Sequence, residues 1–203
     1  MHTYTYIRYF AALGFLFLLN TTSAQNTLTD WNHKRLNHTR QTMWVLGGWA
    51  AANLTVGAIG MGRSKGENRA FHQMNLGWGA INLGLAASGI WTAAHTDPAS
   101  LDVWNSLESY HKMQRIFLFN AGLDVGYVAS GFWMLERAKT DPLRADRWRG
   151  FGKSIILQGA FLFVFDLGAF WYQHRLNEGL RPFLPPNSSI GLAPNGIGFR
   201  MWM

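Results

Sequence analysis

The sequence predicts an all-α integral membrane protein, a four-helix bundle in up-down-up-down order that follows a cleaved signal peptide. Four apolar stretches alternate with charged connections, and each is close to the roughly 20 residues that cross a bilayer as a helix. Each stretch has a polar residue near its middle: Asn53, Asn82, Asp124 or Asp166. An unpaired polar group at that depth is costly, so the helices are expected to pack around a polar midplane.

Composition agrees with this fold class. The 203 residues suffice for one domain, and 48% of them are hydrophobic whereas only 14% are charged, which is a low charge content for a soluble protein. There is no cysteine, so disulfides and thiolate metal sites are excluded. The formal net charge of +7 lies mainly in the connections, and it therefore indicates membrane orientation rather than nucleic-acid binding.

Residues 1–24 have the organisation of a secretory signal peptide. Arg8 precedes an apolar run over residues 9–19, and the small-residue segment that ends at Ala24 predicts cleavage before Gln25. The apolar run is too short for a comfortable bilayer span, although an uncleaved fifth helix is the alternative. Residues 25–42 are then expected to form an external N-terminal segment.

The transmembrane bundle is assigned to residues 43–176. Its four expected spans are Met43–Met61, Met74–Ala94, Ile116–Leu135 and Ile155–Tyr172. Lysine and arginine collect in the first and third connections, whereas the second connection carries Asp97, Asp102 and Glu108 and has its basic residues, Lys112 and Arg115, only at its far end. Because basic connections stay on the cytoplasmic side, this pattern predicts a multi-pass protein of the bacterial inner membrane with both mature termini in the periplasm. An outer-membrane location stays open.

One basic stretch does not fit this orientation. Lys34, Arg35 and Arg40 precede the first span, on the side that is predicted to be external. Translocation by a signal peptide can override the charge bias of such a segment, so the predicted orientation is kept.

Small residues recur along the second and third spans at a four-residue spacing. The two lines are Ala80, Gly84 and Ser88, and Gly122, Gly126 and Ser130. Small residues at this spacing let the backbones of membrane helices approach closely. The lines are therefore predicted to be helix contact surfaces.

Residues 177–203 are expected to form an external C-terminal tail. Pro194, Asn195 and Gly196 are a turn signal between two short runs, which predicts a small β-hairpin. An unstructured or interfacial tail is the alternative, because two short strands are marginal on their own.

Helical periodicity gathers the polar residues of the spans into inward-facing stripes. The candidate midplane cluster has six members: Asn53, Asn82, Asn120, Asp124, Gln158 and Asp166. The first interpretation is structural, since such groups hydrogen-bond across helices and contribute roughly 0.6 to 2 kcal/mol each. The second is ion or proton translocation, in which Asp124 and Asp166 share a proton or surround a cation together with the oxygens of Asn53 and Asn82.

Histidines at the outer face offer a third interpretation. His95 and His111 flank the second connection, and His174 is expected at the end of the fourth helix, just after the span. Imidazoles that meet in this way are able to ligate a metal ion or a haem. The three residues have no tight motif spacing, and the sequence identifies no cofactor beyond this option.

Enzyme motifs are absent from the sequence: there is no phosphate-binding glycine loop, no GxSxG elbow and no HExxH pair. The preferred functional prediction is therefore a non-enzymatic, structural or accessory role in a membrane assembly. Its expected partners are the lipid bilayer and either another protein or further copies of this chain. Ion or proton translocation and histidine ligation are the alternatives.

Overall fold

The computed structural model describes the backbone of residues 3–176, 179, 183, 188–193 and 196–201, and the side chains of residues 27–176, 179 and 183. Four long helices account for most of it: α1 (Thr3–Arg63), α2 (Gly66–His95), α3 (Val103–Thr140) and α4 (Ala145–His174). Short 3-10 helices at Pro98–Ser100 and Pro142–Arg144 lie in the last two connections. The all-helical class predicted for the body of the chain is confirmed.

The helices extend well beyond the apolar spans. α1 has 61 residues and is therefore about 90 Å long. It runs without a break through the predicted cleavage position after Ala24 and through residues 25–42. The segment 25–42 is thus a helical extension of the first span. α3 likewise begins at Val103 instead of near Ile116, because Asp102 caps it by accepting a 2.7 Å hydrogen bond from the Asn105 amide.

Glycine makes the tight reversal between α1 and α2 possible. Only Ser64 and Lys65 separate the two helices, and Gly66 begins α2 with a φ of +57°. Residues with a Cβ rarely adopt that conformation. The short connection places α2 antiparallel to α1, so that Gly79 packs against Ala50.

Two antiparallel hairpins of helices form the bundle. α1 packs along α2, and α3 packs along α4. The hairpins join mainly through α2 and α4. These two helices run parallel, as two contacts show: Glu67 contacts Gly150 near the start of both helices, and Asn75 contacts Gln158 further along. α4 therefore has a central position in the bundle.

The closest helix contacts occur at glycines other than those in the predicted lines. A Cβ on Gly131 would lie 2.7 Å from the Gly152 carbonyl oxygen, and a Cβ on Gly152 would lie 2.8 Å from that of Gly131. By contrast, Gly84, Gly122 and Gly126 are exposed and have no described atom within 4 Å of a built Cβ. The predicted contact lines on α2 and α3 are wrong, since spacing alone does not tell which face of a helix meets its neighbour.

Two apolar cores hold the helices together. The larger lies between all four helices and contains Met43, Leu46, Ala86, Phe117, Leu162 and Ala169. The smaller core forms at one end of the bundle, where the extension of α1 meets the start of α3, and consists of Trp31, Leu107 and Tyr110. Leu176 and Phe183 pack against it. We call this end the outer end, following the predicted orientation.

The distribution of polarity is inverted relative to a water-soluble bundle. Many large apolar side chains face outward, with Phe119 68% and Val164 70% exposed, whereas Asn82, Asp124 and Gln158 are buried. Two stretches of the described chain, Thr27–Arg63 and Pro142–His174, are long and apolar enough to cross a membrane. α2 and α3 do not meet that criterion. These findings indicate membrane association.

The described part of the C-terminal tail includes a two-stranded antiparallel hairpin. β1 (Ser188–Ala193) pairs with β2 (Gly196–Met201), with Ile190 opposite Phe199. Gly196, the last residue of the turn signal, begins β2. Pro194 and Asn195 lie outside the described residues.

Candidate functional site

The predicted midplane residues are brought inside the bundle, but they form two clusters instead of one. Five of the six are buried and Asn120 is half-buried. Asn53 and Gln158 belong to an amide cluster between α1, α2 and α4. The other four, Asn82, Asn120, Asp124 and Asp166, line a cavity between α2, α3 and α4.

Gln158 is the centre of the amide cluster. Its Nε2 donates to Asn53 Oδ1 at 2.7 Å and to Asn75 Oδ1 at 3.0 Å. Its Oε1 accepts a 2.9 Å hydrogen bond from the Trp49 indole. Ser154 Oγ also donates to Asn75 Oδ1, at 2.5 Å. The cluster therefore links three helices through one fully buried side chain.

Three members of the amide cluster are missing from the predicted set. Asn75 and Ser154 lie at the ends of the predicted spans and Trp49 lies four residues before Asn53, so selection by depth did not include them. Asn75 shares a helix face with Asn82, seven residues away, and that periodicity is the signal that could have found it. No comparable signal marks Ser154, since a serine within a helix commonly bonds to its own backbone.

The second cluster, which we call the carboxyl cavity, contains the two acidic residues of the spans. The side chains of Asp124 and Asp166 lie within hydrogen-bonding range of each other. They reach this distance because α3 and α4 pack closely at Gly159, where a built Cβ would lie 2.9 Å from the Asp124 carbonyl oxygen. The cavity has a volume of about 150 Å³.

Two buried polar atoms in the carboxyl cavity lack a hydrogen-bond partner among the described residues. They are Asn82 Nδ2, a donor, and Asp124 Oδ2. Buried polar atoms are nearly always paired with protein or with ordered water, and a cavity of this volume has room for a few waters at about 30 Å³ each. A water between the two atoms would accept from the amide and donate to the carboxylate.

Aromatic and apolar side chains close the remaining walls of the carboxyl cavity. Trp78 of α2 meets Tyr127 of α3 edge to face, with ring centroids 5.0 Å apart. Phe165 and Leu162 of α4 and Leu46 of α1 also line the cavity. An acidic pair with apolar walls is a place where protonation and ion occupancy are strongly coupled, because unpaired charge is costly there.

The three outer-face histidines do not converge. His95 lies against its own helix, with Nδ1 2.9 Å from the Trp91 carbonyl oxygen. The Gln114 side-chain amide lies 3.4 Å from His174 Nδ1. Within the described part of the chain, no three histidine, aspartate or glutamate side chains are placed to hold a metal ion. The described residues therefore contain no group of three ligands that would hold a metal ion, and haem ligation stays a prediction.

Burial shapes the electrostatics of the smaller core. Desolvation raises the pKa of Tyr110 to about 12, and the hydrogen bond to Gln114 offsets part of that rise. Desolvation also lowers the pKa of His111, an effect to which the positive charge of Arg115 adds. The hydrogen bond to Gln114 opposes the lowering of the His111 pKa.

Comparison with known proteins adds a family assignment. Neither the curated proteins nor the solved structures contain a match to this chain. Residues 45–167 match the model of a family described as a family of unknown function, DUF6992. The matched region is more than half of the chain, and it contains all members of the amide cluster and of the carboxyl cavity. The chain belongs to the DUF6992 family.

Proposed function

We propose that this chain is a multi-pass protein of the bacterial inner membrane, with all four helices spanning the bilayer and both mature termini in the periplasm. The inverted polarity of the bundle supports the bilayer as its solvent, since hydrocarbon favours exposed Phe119 and Val164 and disfavours exposed Gln158. The basic connections support the orientation. Arg63, Lys65 and their neighbours lie at the end opposite the acidic second connection.

Cysteine labelling tests this topology, because the chain has no cysteine of its own. Ser100→Cys lies in the second connection and Leu143→Cys, at a side chain that is 98% exposed, lies in the third. In intact spheroplasts, a membrane-impermeant maleimide is expected to label Ser100→Cys, and to label Leu143→Cys only after detergent is added. Equal labelling of both variants before detergent would contradict the four-span topology.

We further propose that the carboxyl cavity binds and transfers protons or a small monovalent cation. The observation that carries this proposal is the pairing of Asp124 with Asp166 beside a cavity that has unpartnered polar atoms. Two ionised carboxylates at hydrogen-bonding distance repel strongly, so the pair is stable with one shared proton or with a bound cation. A 180° turn of the Asn82 amide would present its oxygen to such a cation.

The amide cluster and the carboxyl cavity suit different roles. The amide cluster has its hydrogen bonds satisfied and includes no ionisable side chain, so it suits the role of holding α1, α2 and α4 together. The carboxyl cavity lies on the α3 side of α4 and is partly open to exchange. Four helices alone are too few to enclose a translocation pathway for protons or cations. Translocation would therefore use several copies of the chain.

Proteoliposome flux measurements test the carboxyl cavity. Asp124→Asn and Asp166→Asn keep the shape of each side chain but remove its charge, so both are expected to abolish proton or cation flux while the purified proteins stay folded. Glu136→Gln is the matched control, because Glu136 also lies on α3 but is 70% exposed and pairs with Lys139 at the surface. Undiminished flux in both aspartate variants, or no flux in the unmodified protein, would remove this proposal.

A structural or accessory role is the second candidate, and the amide cluster favours it. A fully paired buried network specifies one helix arrangement without needing a ligand. In that case the aspartate variants would lower thermal stability or the recovery of a partner protein, with no ion dependence to lose. Recovery of a partner from native membranes by affinity purification would identify the assembly.

A further inference from the structure

A second cavity lies at the outer end of the bundle, where the helical extension of α1 meets α2 and α3. Its volume is about 260 Å³. One part of its wall is cationic and hydroxylic, with Arg35, Thr39, Ser109 and Lys112. We call it the outer cavity. Unlike the carboxyl cavity, it has no acidic side chain among the described residues that line it.

Arg35 is the unusual residue of the outer cavity. Its side chain is only 5% exposed, and its Nε has no hydrogen-bond partner in the described structure. None of the salt bridges between described residues involves it. Its guanidinium lies 5.9 Å from the centroid of the Trp31 ring, a contact that recovers little of the cost of removing a cation from water. Among the described residues no carboxylate pairs with this guanidinium, and an anion bound in the cavity would offset its charge.

The rest of the outer cavity defines which anion fits. Lys112, on α3, supplies a second positive charge, and Ser109 supplies a hydroxyl donor. Met113 and Ile116 form an apolar wall next to these groups. A cationic wall beside an apolar wall suits an amphiphile, whose charged group and hydrocarbon would contact one wall each. Phosphate is a suitable charged group, because arginine binds phosphate oxygens through parallel N–H donors.

We propose that the outer cavity binds the phosphate group of an anionic amphiphile, with Arg35 and Lys112 as its cationic contacts and with Met113 and Ile116 against the adjoining hydrocarbon. The proposal goes beyond ion transfer at the carboxyl cavity and is independent of it. It also gives a reason for the basic residue Arg35 on the side where the charge pattern disfavours one. The phosphate can belong to a membrane lipid or be free in the periplasm, and competition between the two tests whether the site requires the lipid.

Native mass spectrometry of the full-length protein in a non-ionic detergent tests this site. The probes are dihexanoylphosphatidylglycerol, dihexanoylphosphatidylcholine as the zwitterionic comparison, and inorganic phosphate as competitor. The unmodified protein is expected to bind one molecule of the phosphatidylglycerol saturably and to bind the phosphatidylcholine more weakly. Arg35→Gln is expected to weaken phosphatidylglycerol binding about tenfold to a hundredfold, since the substitution removes a charge-assisted hydrogen bond.

Two further variants keep the result interpretable. Lys112→Gln, at an exposed position, is expected to weaken binding about threefold, and it decides the matter should Arg35→Gln fail to fold. Arg40→Gln is the matched control, because Arg40 is an exposed arginine on the same helix that donates to Asn37 and does not line the cavity. It is expected to bind as the unmodified protein does.

Competition by millimolar inorganic phosphate would assign the site to phosphate from either source, and its failure to compete would assign the site to the lipid. Both results support a phosphate site. The proposal is overturned if the unmodified protein, Arg35→Gln and Lys112→Gln bind the phosphatidylglycerol equally well. It is also overturned if neither the phosphatidylglycerol nor inorganic phosphate binds saturably. Neither result bears on flux through the carboxyl cavity, so the two proposals can fail separately.

Discussion

Replacing Gly150 by alanine is expected to destabilise the bundle severely, although alanine is normally the better helix former. A Cβ at this position would overlap the Glu67 carbonyl oxygen and lie 2.6 Å from Ala70 Cβ and 2.7 Å from the Phe71 amide nitrogen. Two of these atoms belong to backbone and cannot turn aside, so α2 and α4 would have to separate. Overpacking of this kind costs about 1 to 3 kcal/mol or more.

Gly168→Ala is the matched control for this prediction. Gly168 lies on the same helix, and no described atom comes within 4 Å of a Cβ built there. The same substitution should therefore stabilise the protein slightly, by up to about 1 kcal/mol, through its effect on helix propensity. Thermal unfolding in detergent, followed by circular dichroism, measures both variants. Similar midpoints for the two would show that α2 and α4 are not packed this closely.

Gln158→Ala is expected to destabilise the bundle by an amount comparable to that of Gly150→Ala. The substitution removes the donor to Asn53 and Asn75 and the acceptor for the Trp49 indole. Those groups stay buried, and three lost interactions of about 0.6 to 2 kcal/mol each predict a loss of about 2 to 6 kcal/mol in the free energy of unfolding. Steric trapping or reversible unfolding in mixed micelles would measure it.

A double-mutant cycle separates the network from simple loss of side-chain volume. If Gln158 acts through Asn53, Gln158→Ala and Asn53→Ala should be less than additive when combined. Gln73→Ala is the comparison, because Gln73 is exposed on α2 and its loss should change stability by less than about 0.5 kcal/mol. Strict additivity of the first pair would mean that the hydrogen bond contributes nothing measurable.

The inward direction of most midplane residues was predictable because each polar side chain interrupts a long apolar run. Asn53, Asn82, Asp124, Gln158 and Asp166 are all buried. Their division into two clusters was not predictable, since it depends on which helices become neighbours. The parallel packing of α2 and α4 puts Asn75 beside Gln158, whereas the pairing of α3 with α4 puts Asp124 beside Asp166.

The structure of the outer end could not be predicted from the pattern of apolar residues. Residues 25–42 are too polar to resemble a span, so helix formation there depends on tertiary contacts that no local signal encodes. Trp31 packs on Tyr110, and Asn32 donates to Ser106 Oγ at 2.8 Å. Both contacts join residues more than seventy positions apart in sequence. The buried position of Arg35 follows from the same contacts.

The pairing of two helix hairpins through Gln158 has a consequence for biogenesis. Asn75 precedes Gln158 by 83 residues and Asn53 precedes it by 105 residues. The ribosome therefore synthesises the first helix hairpin, α1 and α2, well before it synthesises Gln158. In a membrane, this intermediate of α1 and α2 exposes the side-chain amides of Asn53 and Asn75 to acyl chains, so its inserted state is expected to have low stability. Nascent chains arrested after α2 should therefore be retained by an insertase or removed by quality-control proteases, and synthesis of α4 should release them.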